Sequence, residues 1–300
     1  MCCLKLSFST VYRRYPSSPM SSALRDIAFG DEVNTLGEIS KKMRKEKQMK
    51  NETLKTINNL RTIHGNFSEK EILDDDLKII LDSSVKAANA SARQSYSIIV
   101  VKDKEKMSKL CGYKGNCLLL FCVDFYRIIK TAQQMGHDFS SPEIVGFVTG
   151  AIDTILAAQT ATIAAKSLGI DSIFTNGIHR GDISRIYKIL NLPEKWCFPL
   201  IALILGYTEK EPTKQKGRLK GRGIIHYESY EHITKKEIED LIEEYDQTEN
   251  PIGLIENWKN MGFKHYLDWF YTKWSANKSD TKHMYDILKK SGFIMEDIND

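Results

Sequence analysis

The sequence has no CxxC pair among its six cysteines, which stand at positions 2, 3, 111, 117, 122 and 197. That spacing fits neither a disulfide scaffold nor a zinc or iron–sulfur site, so no metal is expected. Cys117 and Cys122 fall in an apolar run and read as small buried hydrophobes of a reducing compartment. GxSxG, HExxH, a P-loop and a GxGxxG following a strand are also missing. The usual hydrolase, phosphate-loop and dinucleotide signatures go with them. The seven histidines are scattered, with none paired to another at ligand spacing. Neither sign of charge dominates: 43 basic against 39 acidic residues leave +4, which gives no global bias toward nucleic acid or membrane. No stretch reads as a membrane span. The longest apolar candidate, 143–168, carries Asp153, Gln159, Lys166 and several threonines, as a buried core helix would.

What is present suffices for one large domain or two small ones: 300 residues, 42% of them hydrophobic and 10% aromatic. The first 25 residues hold Lys5, Arg13, Arg14, Arg25 and many serines, with no acid before Asp26. This composition resembles an organelle transit peptide, but the plainer and preferred reading is a disordered extension or an upstream start codon. Cys2–Cys3 could take palmitate, but no second lipidation motif accompanies them. A charge run follows at 41–50, with Met43 and Met49 as internal starts. The expected division is therefore a disordered or targeting extension over 1–50, a core over 51–230 and a helical C-terminal extension over 231–300.

Within the core a short helix is expected over 51–60. A second should open at Ser68, with Glu71 completing a capping box, and carry Leu77, Ile80, Leu81, Val85 and Ala88 on one face. Strands are predicted at 97–101, 118–125, 170–174 and 198–207, the second and fourth so apolar that both faces must be covered. Ser141-Pro142-Glu143 starts the long helix and Gly169 stops it. Shorter helices are read at 107–111 and 182–190, then at 235–245, 258–274 and 284–290. This order predicts an α+β sandwich with a central sheet and a long buried helix. Trp258, Phe263, Tyr266, Trp269, Phe270 and Trp274 are spaced as one apolar helical stripe, for packing on the core or across a dimer, or for docking a partner.

Four segments, in order, carry a resemblance. They are Leu60-Arg61-Thr62-Ile63-His64, then Ala87-Ala88-Asn89-Ala90-Ser91-Ala92-Arg93-Gln94-Ser95-Tyr96 with the strand after it. Phe174-Thr175-Asn176-Gly177 follows the long helix, and Leu205-Gly206-Tyr207 precedes Lys216-Gly217-Arg218. Together, over roughly 52–230, they resemble the FMN-dependent nitroreductase-like family. Leu60, His64, Ala92 and Ser95 depart from the family's usual Arg, Arg or Lys, Asn and Pro.

The resemblance implies a nitroreductase-like three-layer sandwich with a central, mainly antiparallel sheet. It also implies a homodimer with FMN at the interface and a small-molecule substrate, with no nucleic acid and no membrane as partner. Arg61, His64, Lys216 and Arg218 would converge on the phosphate, and Thr62 would add a hydroxyl. Ser91, Arg93 and Gln94 would lie along the pyrimidine side, Arg93 stabilising charge at N1–O2. An amide at Asn176-Gly177 would approach N5, with glycine permitting the contact. NADH or NADPH would supply hydride for a nitroaromatic, quinone or similar acceptor in a ping-pong order, solvent supplying protons. Each residue also has a plainer reading. The five cations of 214–222 make a solvated loop or a nucleic-acid patch, Gly177 an ordinary turn, and 91–94 a polar helix end. A reductive dehalogenase-like enzyme and a non-catalytic flavin-binding or interaction protein are the alternatives. The expected location is cytoplasmic, or organellar if residues 1–25 act as a transit peptide.

Overall fold

The apolar run around residue 120 is buried along its whole length and forms the middle of a sheet. The computed structural model describes residues 51–139, 143–219, 221, 223–275 and 282–294. The chain divides into two units at Lys55–Thr56. The extension over 1–50, with Met43 and Met49, and the helix start at Ser141-Pro142 lie outside the described residues.

Four strands, β1 (Tyr96–Val101), β2 (Cys117–Asp124), β3 (Asp171–Thr175) and β4 (Cys197–Gly206), form an antiparallel sheet in the order β1-β2-β4-β3. Alternation sends the side chains of β2 to two cores. Cys117, Leu119 and Phe121 face one, and Leu118, Leu120 and Cys122 the other.

On the first face lie helices α2 (Asp74–Ser84) and α5 (Ile144–Ser167), reached in sequence after the short α1 (Glu52–Asn58) and, for α5, after α3 (Lys104–Cys111) and α4 (Tyr126–Gln134). Ala157, Ala158, Ala161 and Ala165 let α5 lie close on the strands. The opposite face is covered by α3 and α6 (Ser184–Leu190), with Met284 and Ile287 packed against them. The result is the predicted three-layer α+β sandwich.

Among the described residues α5 alone is long and apolar enough to cross a membrane by length and composition. It is nevertheless a helix of the sandwich, with Asp153, Thr154 and Thr162 buried beside its alanines. Its burial is one-sided: Val145, Val148, Ile152 and Ile155 are each more than half exposed. Their spacing of three, four and three residues makes a continuous apolar stripe.

Two local expectations fail for physical reasons. The capping box at Ser68 does not form, because the Ser68 amide donates to the Tyr207 carbonyl (2.8 Å) and Phe67 bridges Thr208. Helix α2 opens later, at Asp74-Asp75-Asp76, whose charges suit the positive helix N-terminus. Nor do the aromatics of 258–274 share one helix. Gly262, at φ 84°, breaks the segment, which becomes a 3-10 turn (Lys259–Met261), α8 (Tyr266–Trp269) and a π turn (Phe270–Trp274). Trp258, Tyr266 and Trp269 instead bury one another against Tyr245 at the end of α7 (Lys235–Tyr245).

Candidate active site

Segments far apart in sequence enclose a pocket of about 750 Å³, with walls from 59–64, the end of α5 and start of β3, 207–218 and 252–254. Five lining residues are formal cations: Arg61, Lys166, Lys214, Lys216 and Arg218. Against them stand Asp171 and Glu211, so the lining is strongly positive.

Arg61 is placed by the sheet. Thr62 forms a parallel bridge with Ser172, and the Ile63 amide donates to the Ser172 carbonyl at 3.1 Å. Ile63 is buried, which fixes the register and sets Arg61 beside Asp171. Arg61 Nε and Nη2 donate to Asp171 Oδ1 and Oδ2 at 3.0 and 2.6 Å. Nη1 and Nη2 also donate to Glu211 Oε2 and Oε1 at 2.5 and 3.1 Å.

Lys166 Nζ donates to Asp171 Oδ1 at 2.7 Å. Burial alone would push the Asp171 carboxyl up, but its hydrogen bonds to Arg61 and Lys166 outweigh this and hold it below its ordinary value. The exposed Glu211 carboxyl is also held low, chiefly by its bond to Arg61.

The opposite wall is mounted on the C-terminal aromatic cluster. Lys216 Nζ donates to the Gly253 carbonyl (2.8 Å) and the Gly217 amide to the Pro251 carbonyl (3.0 Å). The Leu254 amide donates to Tyr266 Oη at 3.0 Å. Tyr266 stacks on Tyr245, and its amide donates to Asp246 Oδ1 at 2.8 Å. Arg218 Nη1 donates to the Gly217 carbonyl at 2.8 Å.

Of the sequence-predicted residues, Arg61, Thr62, His64, Lys216 and Arg218 line this pocket, whereas Ser91, Arg93, Gln94, Asn176 and Gly177 do not. Ser91 and Gln94 stand in a loop of left-handed backbone: Ser91, Ala92 and Gln94 have φ of 52°, 54° and 49°. Such angles are costly for residues other than glycine and must be held in place.

Here the clamp is Asp153, buried in the middle of α5. Its Oδ1 accepts from the Ala90 amide at 2.8 Å and its Oδ2 from the Ser95 amide at 3.2 Å. Asn89 Oδ1 accepts from the Gln94 amide (3.1 Å), and Arg127 Nη2 donates to the Arg93 and Gln94 carbonyls (3.2 and 2.7 Å).

Gly177 also differs from expectation. Its amide donates to Thr175 Oγ1 at 2.9 Å, and a Cβ there would lie 2.3 Å from the Cys111 carbonyl oxygen. The glycine is therefore required by contact with α3. Asn176 beside it is exposed.

Sequence reasoning missed Lys166, Asp171, Glu211 and the wall 252–254. Their partners lie up to 150 residues away, beyond the reach of periodicity or spacing. Asp153 did leave a signal, as a carboxylate in a long apolar helix.

Comparison with known proteins decides the family. The model of the nitroreductase family matches residues 112–207. An NADPH-dependent oxidoreductase of Staphylococcus aureus (strain MRSA252) is 30% identical over 194 residues, covering 61% of this chain and 75% of that relative. The chain belongs to the nitroreductase family. Likeness within the family extends further: an FMN reductase [NAD(P)H] of Bacillus subtilis (strain 168) is 28% identical over 264 residues, 82% of this chain and 99% of its own. The solved NfrA1 nitroreductase from B. subtilis superposes with a TM-score of 0.67 at 26% identity, covering 80% of this chain and 98% of its own.

Proposed function

We propose that this chain is an FMN-dependent oxidoreductase that draws hydride from NADH or NADPH to reduce a small electron-poor acceptor, and that it acts as a homodimer. The observation that supports this most is the convergence of Arg61, His64, Lys216 and Arg218 on one pocket from two segments some 150 residues apart in sequence. The donor set suits the group: a phosphate dianion needs several cationic N–H donors at one point, and an excess of cations lines this pocket. The names of the relatives agree, one being an FMN reductase using NAD(P)H.

When bound, FMN would supply the redox chemistry, taking hydride from the nicotinamide and passing electrons to a nitroaromatic, quinone or similar acceptor in a ping-pong order. The chain's own part is to bind, orient and exclude water. Arg61, His64, Lys216 and Arg218 hold the phosphate, with Thr62 as a hydroxyl donor. Since the Gly177 amide is engaged by Thr175, the exposed Asn176 is the better candidate of that pair to meet the ring.

Ser91, Arg93 and Gln94 stand outside the pocket, on a loop clamped to the helix that bears the exposed apolar stripe. In the proposed homodimer that stripe packs against a second copy and this loop serves the partner's pocket, so that each site uses both chains. Free buried thiols at Cys111, Cys117, Cys122 and Cys197 suit the cytoplasm.

Two measurements test the reading. Arg218→Ala should purify with clearly less FMN and bind it about tenfold or more weakly, as loss of a charge-assisted contact requires; equal flavin content in the variant and the parent chain would sink the phosphate assignment. Val148→Arg with Ile155→Arg places two cations on the stripe. Light scattering should then give a monomer near 34 kDa that has lost its flavin. A flavin-loaded monomer would refute the shared site.

A further inference from the structure

Arg61 stands in this pocket between two carboxylates of opposite character. The Asp171 side chain is 3% exposed and held by Lys166 as well, so it is a fixed part of the fold. The Glu211 side chain is 74% exposed. Its loop is tied at both ends, by the Glu209 amide on the Asn66 carbonyl (2.9 Å) and by Gln215 Nε2 on the Asn58 carbonyl (2.8 Å). These ties keep the Glu211 carboxylate within reach of Arg61 while leaving it in solvent. The four Arg61–carboxylate bonds use Nε, Nη1 and Nη2. One Nη1 hydrogen is left over, so an anion that engages Arg61 through two bonds must displace one carboxylate, and Glu211 is the one able to leave.

We propose that Glu211 is a specificity-determining residue, an internal anion that occupies the outer edge of Arg61 and yields to a phosphomonoester dianion but not to a monoanion. This rests on the phosphate reading of the pocket. A carboxylate ligand offers Arg61 what Glu211 already offers, one charge and two oxygens, and pays for its own immobilisation besides. A phosphate dianion brings a second charge and a third acceptor oxygen, which Lys214, Lys216 and Arg218 on the same wall can meet. Glu211 thus removes the weaker class of anion from competition at little cost to the stronger one.

The test is titration of the full-length chain by flavin fluorescence, with FMN and riboflavin as ligands and acetate or inorganic phosphate as competitors. Glu211→Gln and Glu211→Ala should bind FMN at least threefold more tightly and leave riboflavin affinity unchanged. Acetate should displace FMN from both variants at several-fold lower concentration than from the parent, so that the phosphate-to-acetate preference falls. Unchanged or weaker FMN binding in both variants, with the acetate preference unmoved, overturns the proposal. Arg218→Ala in the same titration separates the two levels. If it weakens FMN while the Glu211 variants change nothing, the pocket holds phosphate and only the role of Glu211 fails. If it too changes nothing, the phosphate reading has failed.

Discussion

Asp171→Ala is expected to lower the thermal unfolding midpoint by about 6–12 °C, the shift that a loss of about 3 kcal/mol produces in a domain of this size. Asp171 is the buried hub of an ion network, accepting from Arg61 and from Lys166. Removing it leaves two partly buried cations facing each other, with Glu211 as the remaining neighbour of Arg61. Breaking one side of a buried pair usually costs about 3–5 kcal/mol. The lower end applies here, because Arg61 and Lys166 keep some solvent contact. The effect must also depend on pH. The carboxyl is held below its unfolded value, so its contribution is fully present above a pH of about 4 and is lost as pH falls through the lower folded value. The gap between parent and variant in circular dichroism melts should therefore be full at neutral pH and close in strong acid. A midpoint within 2 °C of the parent at neutral pH would show that the network contributes little.

The second large effect is expected at Asp153, away from the pocket. Asp153→Ala removes the acceptor of the Ala90 and Ser95 amides that close the left-handed loop. Hydrogen bonds to a buried charged group are worth about 1.5–3 kcal/mol each. Each left-handed residue in the loop stores about 1 kcal/mol or more that the clamp must outweigh. Once the clamp is gone the loop relaxes, carrying Ser91, Arg93 and Gln94 out of position. FMN affinity should fall more than tenfold, while the far-ultraviolet spectrum keeps its helical signature. Asp153→Asn should be intermediate, since its amide oxygen can still accept one of the two bonds. Parental flavin affinity in Asp153→Ala would show that this loop takes no part in holding the cofactor.

The sheet is legible in the sequence because a strand covered on both faces must be apolar at every position, as 118–123 and 200–206 are. The helix stop at Gly169 is legible because glycine tolerates φ near 75° there. The cation set is legible too, as residue types in segments that resemble a family.

What the sequence withholds is competition between local and distant partners. Ser68 and Glu71 satisfy the local rule for a helix cap, yet the Tyr207 carbonyl takes the Ser68 amide. The aromatic spacing of 258–274 satisfies the rule for one helix, yet Gly262 turns the chain and the rings gather into a separate cluster. Arg61 satisfies the rule for a phosphate ligand, yet it arrives already bound to Asp171 and Glu211. In each case the deciding group lies elsewhere in the chain, at a distance no spacing rule encodes.

The mounting of the pocket on the aromatic cluster has a temporal meaning. A chain emerging from the ribosome presents Arg61 early and the whole sheet by residue 206. The wall at 252–254 cannot be set until Tyr266 and Trp269 have been made and have closed on Tyr245. Domains tend to fold as units during synthesis, so the sandwich can assemble while this last wall is still missing. A nascent chain stopped just short of residue 266 would carry every cation of the pocket but no Tyr266 hydroxyl for the Leu254 amide to rest on. If this pocket takes the cofactor phosphate as proposed, capture waits until Tyr266 and Trp269 have been made, well after the sheet is complete.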